Sequence, residues 1–86
     1  MSKITMYSTG QCPFCVRAEH LLKQRGVSEI DKVRVDLEPL RRREMMEKTG
    51  RRTVPQIYIG EYYVGGFAEL AALDRAGKLT PLLQEK

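Results

Sequence analysis

Apolar residues recur along this chain in short blocks, and the spacing within the blocks alternates between two periods. Lys3 to Tyr7 leans towards strand, with Ile4, Met6 and Tyr7 as candidate buried or half-buried positions. A short loop follows, Ser8-Thr9-Gly10-Gln11. From Pro13 the period becomes helical: Phe14, Ala18, Leu21 and Leu22, with Cys15 beside them, form one apolar face. Gly26 ends that run as a left-handed cap. Val33-Arg34-Val35-Asp36-Leu37 alternates and predicts a second strand. Pro39 opens another helix, with Leu40, Met45 and Met46 available for packing, and Gly50 stops it. Thr53-Val54-Pro55-Gln56-Ile57-Tyr58-Ile59 predicts a third strand, and Gly60-Glu61 a hairpin turn into Tyr62-Tyr63-Val64. After Gly65-Gly66, the residues Phe67, Leu70, Ala71 and Leu73 predict a helix that Gly77 terminates. Thr80 as a cap and Pro81 in the first turn predict a short last helix through Leu82 and Leu83.

The predicted order is β-α-β-α-β-β-α plus a short C-terminal helix. The first β-α-β stretch implies parallel strands joined by a right-handed crossover. The hairpin adds two antiparallel strands. The expected fold is therefore α/β: a four-stranded mixed sheet flanked by helices. The loop after the first strand then lies at a sheet end, where a helix N-terminus points outward. With 86 residues and no linker, repeat or low-complexity segment, a single domain over 1–86 is expected.

Composition narrows the classes. A hydrophobic content of 42% with mixed charge argues against disorder. No apolar run is long enough to cross a bilayer, so no membrane role is expected. The opening Met1-Ser2-Lys3-Ile4-Thr5-Met6 lacks the apolar core and cleavage site of a signal peptide. A cytoplasmic location is expected, where stable structural disulfides are uncommon. Fifteen Lys and Arg against eleven Asp and Glu give a formal charge of +4, concentrated at Arg41-Arg42-Arg43 and Arg51-Arg52. Arg43 with Glu47, and Glu44 with Lys48, are spaced to pair on a helix, which favours a solvated face. A collar attracting an anionic ligand is the sharper alternative. Nucleic-acid binding is not expected: no familiar module is visible, and the basic residues are not interleaved with aromatics.

The chemistry concentrates in Gln11-Cys12-Pro13-Phe14-Cys15-Val16-Arg17, which holds both cysteines. Zinc normally takes four Cys or His ligands, and the chain offers Cys12, Cys15 and one histidine, His20, so no metal site is expected. Haem attachment needs His directly after the second Cys, where Val16 stands. His20 is read as a surface or rim residue. A permanent staple between Cys12 and Cys15 would close a tiny loop and constrain little. Reversible dithiol chemistry remains, and a CxxC beside a βαβ pattern is its signature. Cys12 falls at the N-cap of the first helix, and Pro13 at the first helical position needs no donor. The N–H groups of Phe14 and Cys15 and the helix dipole then favour a Cys12 thiolate, with Arg17 adding to this if it folds back. Cys15, one turn deeper, suits a resolving thiol.

Cys12-Pro13-Phe14-Cys15 after the first strand, Thr53-Val54-Pro55 before the third, and Gly65-Gly66 opening the last major helix together resemble the glutaredoxins of the dithiol, bacterial-like type. The resemblance covers essentially the whole chain. It implies a thioredoxin fold and a glutathione-dependent thiol–disulfide oxidoreductase. Cys12 matches the nucleophile and Cys15 the resolving cysteine of a redox-active disulfide. Val54-Pro55 matches a bond that is cis in this fold, with the Val54 backbone facing the glutathione cysteinyl unit. Gly65-Gly66-Phe67-Ala68 matches the turn whose backbone receives the γ-glutamyl carboxylate, an anion at a helix N-terminus. Phe14, Thr53 and Arg52 complete the implied glutathione contacts, Arg52 as a candidate for the glycine carboxylate. The implied co-substrate is glutathione, with no bound cofactor. The implied partners are disulfide-containing or glutathionylated proteins, and a monomer is expected.

Three positions depart from the family pattern. Phe14 replaces the usual tyrosine. Thr9 stands where many members carry a lysine. Ala68 and Glu69 stand where Ser or Asp, then Asp, are common. Two other readings compete. One is a thioredoxin-like protein fed by a reductase protein; the Gly65-Gly66 turn and the absence of tryptophan speak against it. The other is a dimer sharing a 2Fe–2S cluster through Cys12 and glutathione thiols. Relatives that do this usually have a slimmer or more flexible residue where Pro13 stands.

Overall fold

The computed structural model describes residues 3–84. The leader reading therefore rests partly on Met1 and Ser2, which lie outside the described residues. The elements run β1 (Ile4–Ser8), α1 (Pro13–Gln24), β2 (Asp31–Arg34), α2 (Pro39–Thr49), β3 (Gln56–Ile59), β4 (Tyr62–Gly65), α3 (Phe67–Arg75) and α4 (Leu79–Gln84). The strands form one sheet in the order β2-β1-β3-β4. β1 and β2 are parallel; β1–β3 and β3–β4 are antiparallel. The mixed four-stranded sheet and the element order agree with the sequence pattern. Among the described residues, no helix is long and apolar enough to cross a membrane.

The period-two alternation of β1 and β3 splits the core between the sheet faces. Ile4, Met6, Ile57 and Ile59 face α1, α3 and α4, where Ala18, Leu22, Leu70, Leu79 and Leu83 are buried with them. Tyr7 and Val33 face the other way and pack with Val35 and Met45 of α2, alongside the partly buried Met46, Val54 and Tyr58. Each fully buried Leu or Ile contributes about 1.5–3 kcal/mol by leaving water.

Several local expectations shift. β2 is displaced towards the N-terminus: Val35 N–H still donates to Ser8 O, but Leu37 and Glu38 N–H turn back to Arg34 O. That turn ends the alternation at Val35 and leaves Leu37 exposed. Leu40 is also exposed, so Met45 and Met46 do the packing expected of all three. β3 begins only at Gln56, because Thr53-Val54-Pro55 forms a loop with a cis Val54–Pro55 bond. α4 starts at Leu79, so Pro81 lies in its first turn as expected, whereas Thr80 lies inside that turn rather than capping it. Gly50 ends α2 in the left-handed conformation, φ +71°, which glycine adopts without steric cost.

The expected Arg43–Glu47 pair is present at 3.1 Å. The expected Glu44–Lys48 pair is replaced by other contacts, two of them tertiary. Tyr7, buried in the sheet, donates its hydroxyl to Glu44 Oε2 at 2.5 Å, and Arg41 Nε lies 3.4 Å from the same oxygen. Lys48 Nζ instead sits 5.4 Å from the centre of the Tyr58 ring. Burial first, then the Glu44 carboxylate, pushes the Tyr7 hydroxyl up to about 12. A raised pKa contributes stability that is complete below the unfolded value near 10 and disappears as pH rises through about 12. Tyr7→Phe is expected to cost roughly 1–3 kcal/mol at neutral pH, the range for a hydrogen bond to a charged group. Urea midpoints measured against pH should show that deficit shrinking above pH 10. A deficit independent of pH would contradict the coupling.

Candidate active site

β1 ends at Ser8, and the loop that follows delivers Cys12 to the N-terminus of α1. Cys12 is the N-cap, in extended conformation (φ −142°, ψ 98°), and Pro13 occupies the first turn. The Cys15 N–H donates to Cys12 Sγ at 3.2 Å. The two sulfurs are joined as a disulfide. Cys12 is half-buried, whereas Cys15 is only 5% exposed. The more exposed of the two cysteines is thus the one that caps the positive end of the helix.

The loop before β3 comes alongside. Cys12 Sγ lies 3.8 Å from the Val54 carbonyl oxygen. Val54 also lines a groove of about 260 Å³ between that loop and the start of α3, next to Cys12 but not including it. Its lining is Phe14 of α1, Arg51, Thr53, Val54, Pro55 and Gln56 at the entry to β3, and Gly66, Phe67, Ala68 and Glu69 at the start of α3. Phe14 leaves the apolar core face predicted for it. It is 53% exposed, and its ring lies 6.1 Å from that of Phe67, forming an aromatic wall. Arg17 does not fold back on the sulfur; its guanidinium sits 5.6 Å above the Phe14 ring. His20 is exposed, as expected.

The turn between β4 and α3 is built for close approach. Gly65 has φ +109°, and a Cβ there would lie 2.6 Å from Glu69 Oε1. Glu69 reaches back over its own helix end and accepts from Gly66 N–H at 2.7 Å. The same oxygen accepts from Arg51 Nη1 at 3.0 Å. The Gly66 amide, then Arg51, holds the Glu69 carboxyl below its usual range. The Gly66 amide is therefore already engaged, and the Glu69 amide lies beside its own carboxylate, so the Phe67 and Ala68 amides are the first-turn donors left to a ligand. Arg51, not Arg52, lines the groove. Arg52 lies in an adjoining recess with Arg43, Met46, Glu47, Gly50 and Arg51. The Arg-Arg doublet was visible in the sequence, but which of the two faces the groove depends on the loop's path. Gln56 and Arg51 were not anticipated as lining residues; position next to a recognised motif was their only signal.

A second recess includes both cysteines, Thr9, Glu19, Lys32 and Arg34. Its cations are already paired: Lys32 with Glu19 at 3.1 Å, and Arg34 with Asp36 through bonds of 2.8 and 2.7 Å. Arg34 holds the Asp36 carboxyl well below the usual carboxylate range, and Asp36 also accepts from Gly10 N–H at 3.2 Å. Thiolate stabilisation at Cys12 therefore falls to the helix N-terminus.

A CxxC dithiol at a helix N-terminus, beside a cis-proline loop on a four-stranded mixed sheet, defines a redox protein of the thioredoxin fold. The family model described as Glutaredoxin matches residues 4–64. A glutaredoxin of Neisseria meningitidis is 47% identical over 83 residues, covering 96% of this chain and 98% of that one. Glutaredoxin 3 of Escherichia coli is 42% identical over 84 residues, covering 98% and 100%. Among solved structures, Brucella melitensis glutaredoxin matches with a TM-score of 0.85 and 42% identity, covering 98% of this chain and 90% of that one. A buckwheat glutaredoxin–glutathione complex matches with a TM-score of 0.86 and 29% identity, covering 95% and 76%. The chain belongs to the glutaredoxin family, as a glutathione-dependent thiol–disulfide oxidoreductase with a CxxC active-site pair.

With the helix end as its main source of stabilisation, the reduced Cys12 thiol is expected to titrate below the free-cysteine value near 8.5. Alkylation rate against pH in the reduced protein measures this. A midpoint at the free-cysteine value would remove the helix N-terminus as the activating element.

Proposed function

We propose that Cys12 is the attacking sulfur, Cys15 the resolving one, and the Phe14–Val54–Phe67 groove the seat of glutathione. The observation that carries this reading is the position of Cys12 Sγ. It is capped by the Cys15 amide and stands 3.8 Å from the carbonyl oxygen of Val54, which lines the groove. With a protein disulfide, the Cys12 thiolate attacks one substrate sulfur and forms a mixed disulfide, and the other substrate sulfur leaves as thiolate. The Cys15 thiolate then attacks Cys12 Sγ, which releases the second substrate thiol and closes the Cys12–Cys15 disulfide. One glutathione thiolate reopens it as a Cys12–glutathione mixed disulfide and frees Cys15. A second glutathione takes the first away as glutathione disulfide. With a glutathionylated protein, Cys12 attacks the glutathione sulfur and the protein thiolate leaves, so Cys15 is not needed.

The groove chemistry suits this tripeptide. The Val54 backbone is positioned to pair with an extended cysteinyl unit. Phe14 and Phe67 supply an apolar wall. The Phe67 and Ala68 amides, at the start of α3, suit the γ-glutamyl carboxylate. Gly66 lines the groove opposite the loop before β3, and its backbone stands near Pro55 O. Arg51 rather than Arg52 is the cation at the groove; it is paired with Glu69 through one N–H, and its remaining guanidinium donors suit a carboxylate, with Thr53 beside it. Disulfide-containing and glutathionylated proteins are the partners in this reading, and a cytoplasmic setting accompanies it. The complex formed by the buckwheat relative supports the choice of ligand.

A coupled assay with a glutathione mixed disulfide, NADPH and glutathione reductase tests the scheme. Cys12→Ser is expected to lose all activity. Cys15→Ser should keep removal of glutathione and lose reduction of protein disulfides. Equal loss in both variants would refute the division of roles.

The anion site has its own test. Phe67→Ala removes the wall, and Phe67→Pro removes the wall and the amide together. Proline suits this position because Gly66 before it is extended (φ −91°, ψ −166°) and Phe67 opens the helix. Phe67→Pro should raise KM for glutathione about fivefold beyond Phe67→Ala, the equivalent of about 1 kcal/mol for one hydrogen bond. Equal KM values in the two variants would place the carboxylate elsewhere.

A further inference from the structure

Gln56 is the first residue of β3, directly after Pro55, and its polar side chain is 1% exposed. A buried amide is retained only if its hydrogen bonds are made. Gln56 makes them to two different parts of the chain. Its Nε2 donates to Thr53 O at 2.9 Å and to Thr53 Oγ1 at 3.2 Å. Its Oε1 accepts from the Tyr63 hydroxyl at 2.5 Å. Both amide donors and one oxygen lone pair are thereby used. The side chain ties the loop before β3 to β4, across the face of the sheet that packs on α2.

The sheet registers show what packs around the far end. Gln56 is paired with Tyr7 of β1, and Tyr58 with Tyr63 of β4. The β3–β4 register shifts between Ile57 and Tyr58. The ring centres of Tyr58 and Tyr63 are 5.2 Å apart, and those of Tyr7 and Tyr58 6.4 Å. Three tyrosines thus form a packed layer beside Gln56. Its other end holds Thr53, one residue before the Val54 carbonyl that faces Cys12.

We infer that Gln56 and Tyr63 are positioning residues for the reaction: a Tyr63–Gln56–Thr53 strut sets where the Val54 backbone stands relative to the Cys12 sulfur, and so governs how well the glutathione moiety is held. Neither residue needs to touch the reacting sulfurs. The inference rests on the groove reading above. Its signature is a change in KM for the glutathionylated substrate with little change in kcat, because the thiolate at the end of α1 is not part of the strut.

The experiment uses the full chain and an S-glutathionylated peptide at fixed glutathione, in the coupled assay. Gln56→Met keeps length and removes all three bonds. Gln56→Glu keeps the acceptor for Tyr63 and loses the donors to Thr53. Tyr63→Phe removes one hydroxyl, with the aromatic layer left in place. Expected results are a KM raised about tenfold in Gln56→Met, nearly as much in Gln56→Glu, and about threefold in Tyr63→Phe. In all three, kcat and the pH midpoint of Cys12 alkylation should stay within twofold and a few tenths of a unit of the parent. The double variant Gln56→Met/Tyr63→Phe should be no worse than Gln56→Met alone, since one strut can be cut only once. Parental KM in a folded Gln56→Met protein, or additive effects in the double variant, overturns the strut. If Gln56→Met does not fold, Tyr63→Phe decides, and parental KM there overturns it. The Phe67 variants separate this from failure of the groove reading: if they too leave KM unchanged, the groove itself is misassigned.

Discussion

The capping of one sulfur by a helix end organises this molecule. Cys12 ends the loop from β1 and begins α1, so one backbone position sets both the helix start and the chemistry. A sulfur there meets the Cys15 amide and the positive end of the helix dipole. Pro13 suits the first helical position because the amide it lacks has no intrahelical acceptor there, so no helix hydrogen bond is lost. The rest of the fold can be understood as holding other backbone groups around that atom.

Three chain segments distant in sequence converge there. β1 and β2 fix the approach of the active-site loop, and Asp36, held by Arg34, accepts from Gly10 N–H. β3 and its preceding loop bring Val54. The turn from β4 into α3 brings a second helix N-terminus to the far wall. Two helix ends thus lie close together, the end of α1 turned towards the Cys12 sulfur and the end of α3 towards the Glu69 carboxylate. Glu69 shows that the second end attracts negative charge, because the chain's own carboxylate already occupies the Gly66 amide. Electrostatic design here relies on backbone dipoles more than on free cations: Arg34 and Lys32 near the cysteines are neutralised by Asp36 and Glu19.

The departures from the common family pattern take on physical meaning in this setting. Phe14 loses a hydroxyl, yet its exposed ring stacks towards Phe67 and carries Arg17 above it. Thr9 brings no charge near Cys12, which leaves the helix end to do that work. Glu69 is one methylene longer than an aspartate. That length lets it cap its own helix and meet Arg51 across the groove mouth.

Much was legible in the sequence because it depends on local rules. Pro13 and Gly26 bracket α1, and Pro39 and Gly50 bracket α2. The alternation of Ile4, Met6 and Tyr7 marks β1. The CxxC at a predicted helix start follows from proline and capping preferences within a few residues. The exposed placements of Leu37 and Leu40 were not legible, since an apolar letter does not say which elements are left to cover it. Nor was the choice of Arg51 over Arg52, which a turn of one residue reverses. The network from Tyr63 through Gln56 to Thr53 is the clearest case. It joins residues whose side chains meet only when β3 and β4 pair in the shifted register observed here, so strand register, a property of the assembled sheet, decided it.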